Sequence, residues 1–207
     1  HNPRCAVYEN VGVNTTLMNS SNYENSCIIT AYDEDVSDKL TWSITRNSDD
    51  MFGIKKATGA VYMAKSPDYE FLATYTIEVT VTDQAGVTDS IEVSISVLNL
   101  NEQVTMSYQT LYIDENSPAG TTLGSPTTYD PDEGSTFTYR IVADNSGGYF
   151  DIDKTTGEIS VSSTAVLNYE IKQNYTLSVN VTDSGIPTSP SFKTSAVAEV
   201  IILVEDV

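Results

Sequence analysis

Acidic side chains and their carboxamide neighbours recur in this sequence twice, in the same order. Glu9-Asn10 returns as Glu115-Asn116, and Asp33-Glu34-Asp35 returns as Asp130-Pro131-Asp132. Asp68-Tyr69-Glu70 returns as Asn168-Tyr169-Glu170, and Asp83 as Asp183. Between the two sets runs Asn99-Leu100-Asn101-Glu102-Gln103. Paired carboxylates serve either as acid and base in a hydrolytic site or as ligands of a hard cation. The only histidine is His1, so neither a Ser/His/Asp nor a Cys/His set can be assembled. Carboxylates crowded together at low dielectric repel one another unless a cation joins them. Calcium accepts about 6–8 oxygens from carboxylates, carboxamides and main-chain carbonyls, whereas magnesium demands tighter octahedral geometry and keeps its waters. The acid pattern therefore points to calcium rather than catalysis.

Composition agrees with that direction. Across 207 residues, 29 Asp and Glu stand against 10 Lys and Arg, for a formal charge of −19. Nucleic-acid binding needs a cationic footprint, which this chain lacks. The charge works against compaction unless cations offset it, although solubility alone accounts for many exposed acids. No apolar run reaches the roughly 18 residues of a membrane helix. No signal peptide opens the sequence, so a mature or trimmed segment is expected. Sequons begin at Asn14, Asn19, Asn174 and Asn180, and together with two cysteines they favour an exported protein. In that setting Cys5 and Cys27 are expected to form a disulfide, the alternative being two buried thiols. Zinc is disfavoured because no internal histidine accompanies them.

The elements that must position the acids are strands. Tyr75, Ile77, Val79 and Val81 alternate with polar residues, as do Ile91, Val93, Ile95 and Val97, with Gln84-Ala85-Gly86 in the turn. Period two with branched side chains predicts half-buried strands. Tyr175, Leu177, Val179 and Val181 repeat the pattern about 100 residues later. Leu40-Thr41-Trp42-Ser43-Ile44 matches Phe137-Thr138-Tyr139-Arg140-Ile141, and Phe52-Gly53-Ile54 matches Phe150-Asp151-Ile152. The reading is all-β, with two tandem seven-stranded Greek-key sandwiches of the immunoglobulin-like kind arranged end to end. Residues 1–98 form the first repeat, 99–103 the linker and 104–207 the second repeat. The stretch from Asn10 to Ser26 is expected to be a surface loop pinned by the disulfide.

On these motifs, both repeats resemble extracellular repeats of the cadherin superfamily over nearly the whole chain. The family pattern carries a glutamate after the first strand, the Asp-x-Asp, the acidic triplet, an Asp at the sixth strand and an acidic linker. The resemblance implies about three calcium ions at the linker. The first would take Glu9, Asp68, Glu70 and Glu102. The second would share Glu9, Glu70 and Glu102 and add Asn99, the Leu100 carbonyl and Asp132. The third would take the Asn101 carbonyl, Gln103, Asp130, Asp132 and Asp183. Asn99, Glu102 and Gln103 depart from the family's Asp, Asp and Asn, which keeps oxygen donors but implies weakened sites.

Asp33, Asp35 and Asp83 at the outer tip either bind a further ion or stay solvated. Glu115, Asn168, Glu170 and Asp206 would serve a following linker, so the chain reads as part of a longer ectodomain anchored through a segment outside it. A disulfide-tied first repeat without an N-terminal tryptophan looks like the N-terminal pair of a non-classical, long-ectodomain or protocadherin-like member. The implied function is calcium-dependent adhesion or tethering to another cadherin, homophilic or heterophilic, including a dimer. The competing reading is a structural spacer without a partner-binding surface.

Three further features have plain structural accounts. Trp42 matches Tyr139 and is expected in the core, and Tyr69 and Tyr169 are expected as core plugs between acidic neighbours. The last strand carries Val197, Ile201 and Leu203 on one face and Ala198, Val200, Ile202 and Val204 on the other. Its outer face is either a partner patch or is covered by a neighbouring segment.

Overall fold

Alternating branched and hydroxyl side chains build the long strands, and the computed structural model describes residues 3–35, 37–144, 147–186 and 192–207. The chain divides into unit 1, His1–Leu100, and unit 2, Asn101–Val207. Among the described residues, the regular elements are strands apart from one short 3-10 turn at Ser48–Asp50.

Unit 1 contains β1 (Arg4–Tyr8), β2 (Met18–Asn19), β3 (Thr41–Arg46), β4 (Phe52–Ile54), β5 (Val61–Met63), β6 (Thr74–Thr82) and β7 (Thr88–Leu98). One sheet has the order β2-β1-β7-β6-β3, with β1 parallel to β7 and the other pairs antiparallel. The second sheet pairs β4 with β5 and gains bridges Thr16↔Tyr62 and Ile28↔Ala60. Val7, Leu17, Ile29, Phe52, Val61, Met63, Tyr75, Ile77, Val93 and Ile95 fill the core between them. Each fully buried Val, Ile, Leu or Phe contributes about 1.5–3 kcal/mol relative to exposure.

Residues 10–26 are more than the surface loop expected from sequence. Leu17 within them is wholly buried, and β2 pairs with β1 through Cys5↔Asn19 and Ala6↔Met18. The Cys5–Cys27 disulfide is present, with Cα atoms 5.6 Å apart and both cysteines buried. It thus staples β1 to the chain leaving that segment rather than pinning a free loop. Trp42 packs against the core only partly buried, and its indole N–H lies inside without a hydrogen-bond partner. Tyr69 departs further from expectation: it is 37 % exposed and is no plug. Tyr169 is half-buried against the core of unit 2.

Unit 2 contains β8 (Thr105–Met106), β9 (Gln109–Asp114), β10 (Thr122–Gly124), β11 (Thr128–Tyr129), β12 (Phe137–Asp144), β13 (Phe150–Ile152), β14 (Ile159–Val161), β15 (Asn174–Asp183) and β16 (Ser195–Glu205). Its sheets run β12-β15-β16-β9, β10-β14-β13 and β11-β8. Nine segments replace the expected seven because two strands are interrupted, between β8 and β9 and between β10 and β11. The second gap holds Pro126, which has no N–H for a ladder. The repeat extends to irregularities: the pairing shifts between Ile44 and Arg46 in unit 1 and between Ile141 and Ala143 in unit 2.

The four sequons differ in setting. Asn14, Asn19 and Asn174 are exposed. Asn180 is 5 % exposed, and its amide donates to the Ala196 carbonyl at 3.1 Å while its oxygen accepts from Arg140 Nε at 3.2 Å. A glycan on Asn180 has no room in this fold, because both ends of the amide are committed and the side chain is buried.

Candidate metal centre

In unit 1 the end of β1 places Glu9, the segment before β6 places Asp68 to Glu70, and the end of β7 places Asn99 and Leu100. The Asn10 N–H donates to the Pro67 carbonyl, which holds the first two segments side by side. Asn10 itself sits at φ 59, a left-handed turn that asparagine tolerates better than most residues. Glu9 is 1 % exposed, and its carboxylate accepts the Tyr69 N–H at 2.8 Å and the Leu100 N–H at 2.6 Å. Asn99 Nδ2 donates to Glu70 Oε1 at 3.3 Å, while its own Oδ1 is buried without a donor. Asp68 Oδ1 accepts the Phe71 N–H at 2.9 Å, a local turn that sets the triplet.

In unit 2 the Asp-x-Asp follows β11 and Asp183 ends β15. Asp130 Oδ1 accepts the Asp132 N–H at 3.0 Å, the turn that two-residue Asp spacing favours. The same turn links Asp33 to the Asp35 N–H at 2.9 Å in unit 1. Asp132 is 3 % exposed, and its Oδ2 accepts the Glu102 N–H at 2.7 Å. Asp183 accepts N–H groups from Gly185 at 2.8 Å and Thr194 at 2.9 Å, Asn101 Nδ2 at 3.2 Å, and the Thr194 hydroxyl. Gln103 Nε2 donates to the Ser195 carbonyl at 2.9 Å.

Electrostatics sort these acids. Burial raises the Asp130 pKa, and the charges of Asp132 and Asp183 push the same way, against the pull of the Asp132 N–H. Burial also opposes ionisation of Asp183, but the bonds from Thr194, Asn101 and Gly185 outweigh it and hold its pKa below the usual carboxylate value. Three acceptor oxygens here are buried with no donor: Asn101 Oδ1, Asp130 Oδ2 and Asp132 Oδ1. A buried acceptor without a donor carries an uncompensated desolvation cost. Hard oxygens left in this condition, from carboxylate and carboxamide alike, fit the donor set that calcium takes.

Thr194 was not legible as part of the site. Its hydroxyl reaches the Glu102 carbonyl at 3.1 Å and accepts the Val104 N–H at 2.8 Å, besides bonding Asp183. Thr194→Val is expected to destabilise unit 2 by about 1–3 kcal/mol, the cost of leaving buried partners unpaired. Urea unfolding checks this, and an unchanged midpoint would contradict it.

The remaining acids are placed as follows. Carboxylate oxygens of Asp33, Asp38 and Asp83 all lie within 4.8 Å of one another at the tip of unit 1, each partly buried. Asp35, expected there, is exposed and outside that group, while Asp38 enters because its N–H turns back to the Asp35 carbonyl at 2.9 Å. Glu115 accepts the Tyr169 N–H at 3.1 Å, Asn168 Oδ1 accepts the Ile171 N–H at 3.1 Å, and Asn116 lies at φ 58. These are the counterparts of the Glu9, Asp68 and Asn10 arrangements. Glu170 and Asp206 are exposed.

Comparison with known proteins decides the family. The cadherin domain matches residues 4–98 and again 109–205. The chain belongs to the cadherin family. Calcium binding is typical of cadherin domains, and these domains are adhesion modules without enzymatic activity. Among curated cadherins, Cadherin-87A of Drosophila melanogaster is 29% identical over 163 residues, 75% of this chain and 8% of that protein. Human Protocadherin Fat 4 is 34% identical over 162 residues, 75% of this chain and 3% of that protein. The chain therefore spans less than a tenth of the length of these cadherins. Human Protocadherin-24 EC1-2 shares the fold with a TM-score of 0.78 and 22% identity, covering 99% of this chain and 95% of that one. Mouse Cadherin-23 EC22-24 gives 0.71 and 24%, covering 100% and 63%. These cadherins are membrane adhesion proteins, and their repeats are extracellular.

Proposed function

We propose that this pair of cadherin repeats supports calcium-dependent adhesion or tethering, with calcium ions held jointly by the acceptor sets of the two units. Glu9, Asp68, Glu70, Asn99 and the Leu100 carbonyl would supply one side. Glu102, the Asn101 carbonyl, Gln103, Asp130, Asp132 and Asp183 would supply the other. The observation that carries the reading is the group of buried oxygens on Asn99, Asn101, Asp130 and Asp132 that no donor reaches. Bound calcium would give those oxygens the positive partner they lack and neutralise the Asp130, Asp132 and Asp183 charges. About three ions are expected, with dissociation constants of about 10⁻⁴–10⁻³ M as in extracellular modules.

A linker fixed in this way lets weak contacts with another cadherin add without the entropic cost of a flexing hinge. Both a homophilic and a heterophilic partner suit the proposal, with the membrane anchor elsewhere in a longer protein. At about 2 mM calcium each ion would stabilise the fold by roughly 0.6–1.8 kcal/mol through linkage. Three ions together would contribute about 2–5 kcal/mol, so EDTA is expected to lower the melting temperature by about 4–20 °C. Calorimetry with calcium and with EDTA measures this, and coincident transitions would count against calcium binding. Sedimentation in the same two buffers tests the adhesive half. A calcium-dependent dimer supports self-recognition, whereas a monomer at high concentration leaves a different cadherin or a spacer role.

A further inference from the structure

We propose that an N-linked glycan on Asn174 covers an apolar strip on the solvent face of the four-stranded sheet of unit 2. The strip is read from register. Asn174 lies directly opposite Leu203, and Leu203 opposite Tyr112, so the three side chains form one row across β15, β16 and β9. Directly opposed residues share a face, with Cβ atoms about 4.5–5.5 Å apart. Two residues along, Thr176, Ile201 and Thr110 form the next row. The inward face carries Tyr175, Ile202 and Leu111, all buried. The rows of Asn174 and Thr176 therefore face solvent.

On that face Tyr112 is 58 % exposed, and Leu203 and Ile201 are half-buried rather than covered. An apolar strip on one edge of an open sheet invites association with other chains. The strip also contains its own cover. Asn174-Tyr175-Thr176 is a sequon, Asn174 is exposed, and its amide stands beside Leu203. In the secretory pathway a lipid pyrophosphate-linked oligosaccharide is the donor. The Asn174 amide nitrogen forms a bond to the first sugar carbon as the carbon–oxygen bond to pyrophosphate breaks, and the nitrogen loses one proton. The first sugars then lie over Leu203, Ile201 and Tyr112. Val197 is also 61 % exposed, but it stands six residues from Leu203, about 20 Å along the strand, beyond the first sugars. The fourth sequon, Asn180 with its clamped amide, stays bare.

The test is secretion of the chain from mammalian cells, with occupancy read by glycopeptide mass spectrometry. Asn174 is expected to be occupied and Asn180 not. Asn174→Gln and Thr176→Ala remove the sequon independently. Both are expected to raise binding of an apolar-surface dye severalfold and to give concentration-dependent self-association. Leu203→Ser added to Asn174→Gln is expected to reverse both effects, whereas Val197→Ser is not. Peptide-N-glycosidase treatment of the folded wild-type chain, which leaves an aspartate in place of Asn174, should also raise dye binding. An unmodified Asn174 overturns the proposal, as does a glycan whose loss leaves dye binding unchanged. Calcium binding is expected to be the same in all these variants, so failure here is distinct from failure of the calcium reading.

Discussion

Replacing Cys5 and Cys27 together by Ala is expected to cost unit 1 about 3 kcal/mol and to leave unit 2 untouched. The bridge closes a loop with a sequence separation of 22, and loop-closure entropy assigns about 3 kcal/mol to a ring of that size. The loss falls where alternative support is thin. Cys5 is the second residue of a five-residue strand, and β2 beside it has only two residues. Without the bridge, Leu17 must be held in the core by packing and the bonds of a short ladder alone. For a domain of about 100 residues the loss lowers the melting temperature by roughly 12–24 °C. The prediction is a calorimetric trace that splits, one transition moving and the other staying. Reduction of the wild-type chain should give the same trace. A single unmoved transition would mean that the bridge contributes nothing to unit 1.

Glu9→Ala should be of comparable severity, and for a local reason. The Glu9 carboxylate is the partner of two main-chain N–H groups, on Tyr69 and Leu100, and is itself buried. Its removal orphans both donors, at about 1–3 kcal/mol each. The expected loss is about 2–6 kcal/mol in EDTA, with calcium absent. Glu115 is its counterpart in unit 2 and accepts the Tyr169 N–H. Glu115→Ala should therefore cost about half as much, near 1–3 kcal/mol. Urea denaturation of the two variants in EDTA checks the ratio. Equal losses would show that the carboxylates act through something other than these bonds.

Much of the architecture was open to sequence reading because the signals are local. Period two in Tyr75 to Val81 and in Tyr175 to Val181 marks β6 and β15 without reference to anything distant. The Asp-x-Asp turns at Asp33 and Asp130 follow from side chain and N–H two residues apart. Repetition of these landmarks doubled the evidence for each. What escaped depends on contacts that the linear order hides. Thr194 bonds residues 11, 90 and 92 positions away, so nothing near it marks a site. Asp38 joins Asp33 and Asp83 only through the turn after Asp35. Leu17 and β2 lie in a segment whose polar character reads as loop, and one buried leucine is too short a pattern to overrule it. Asn180 has the same sequon chemistry as Asn174. Only the positions of Arg140 and Ala196 across the sheet show that its amide is already committed.

The central claim is that the buried acids near Asp132 exist to hold calcium. Equilibrium calcium binding to the wild-type chain and to Asp132→Asn tests it most directly. Asparagine keeps the shape and an acceptor for the Glu102 N–H, so the fold in EDTA should be as stable as before, while one negative charge is gone. The account predicts about three ions on the wild-type chain. It predicts that the variant loses at least one ion or binds about tenfold more weakly, equivalent to about 1.4 kcal/mol. Equal ion count and equal affinity in the two proteins would contradict it.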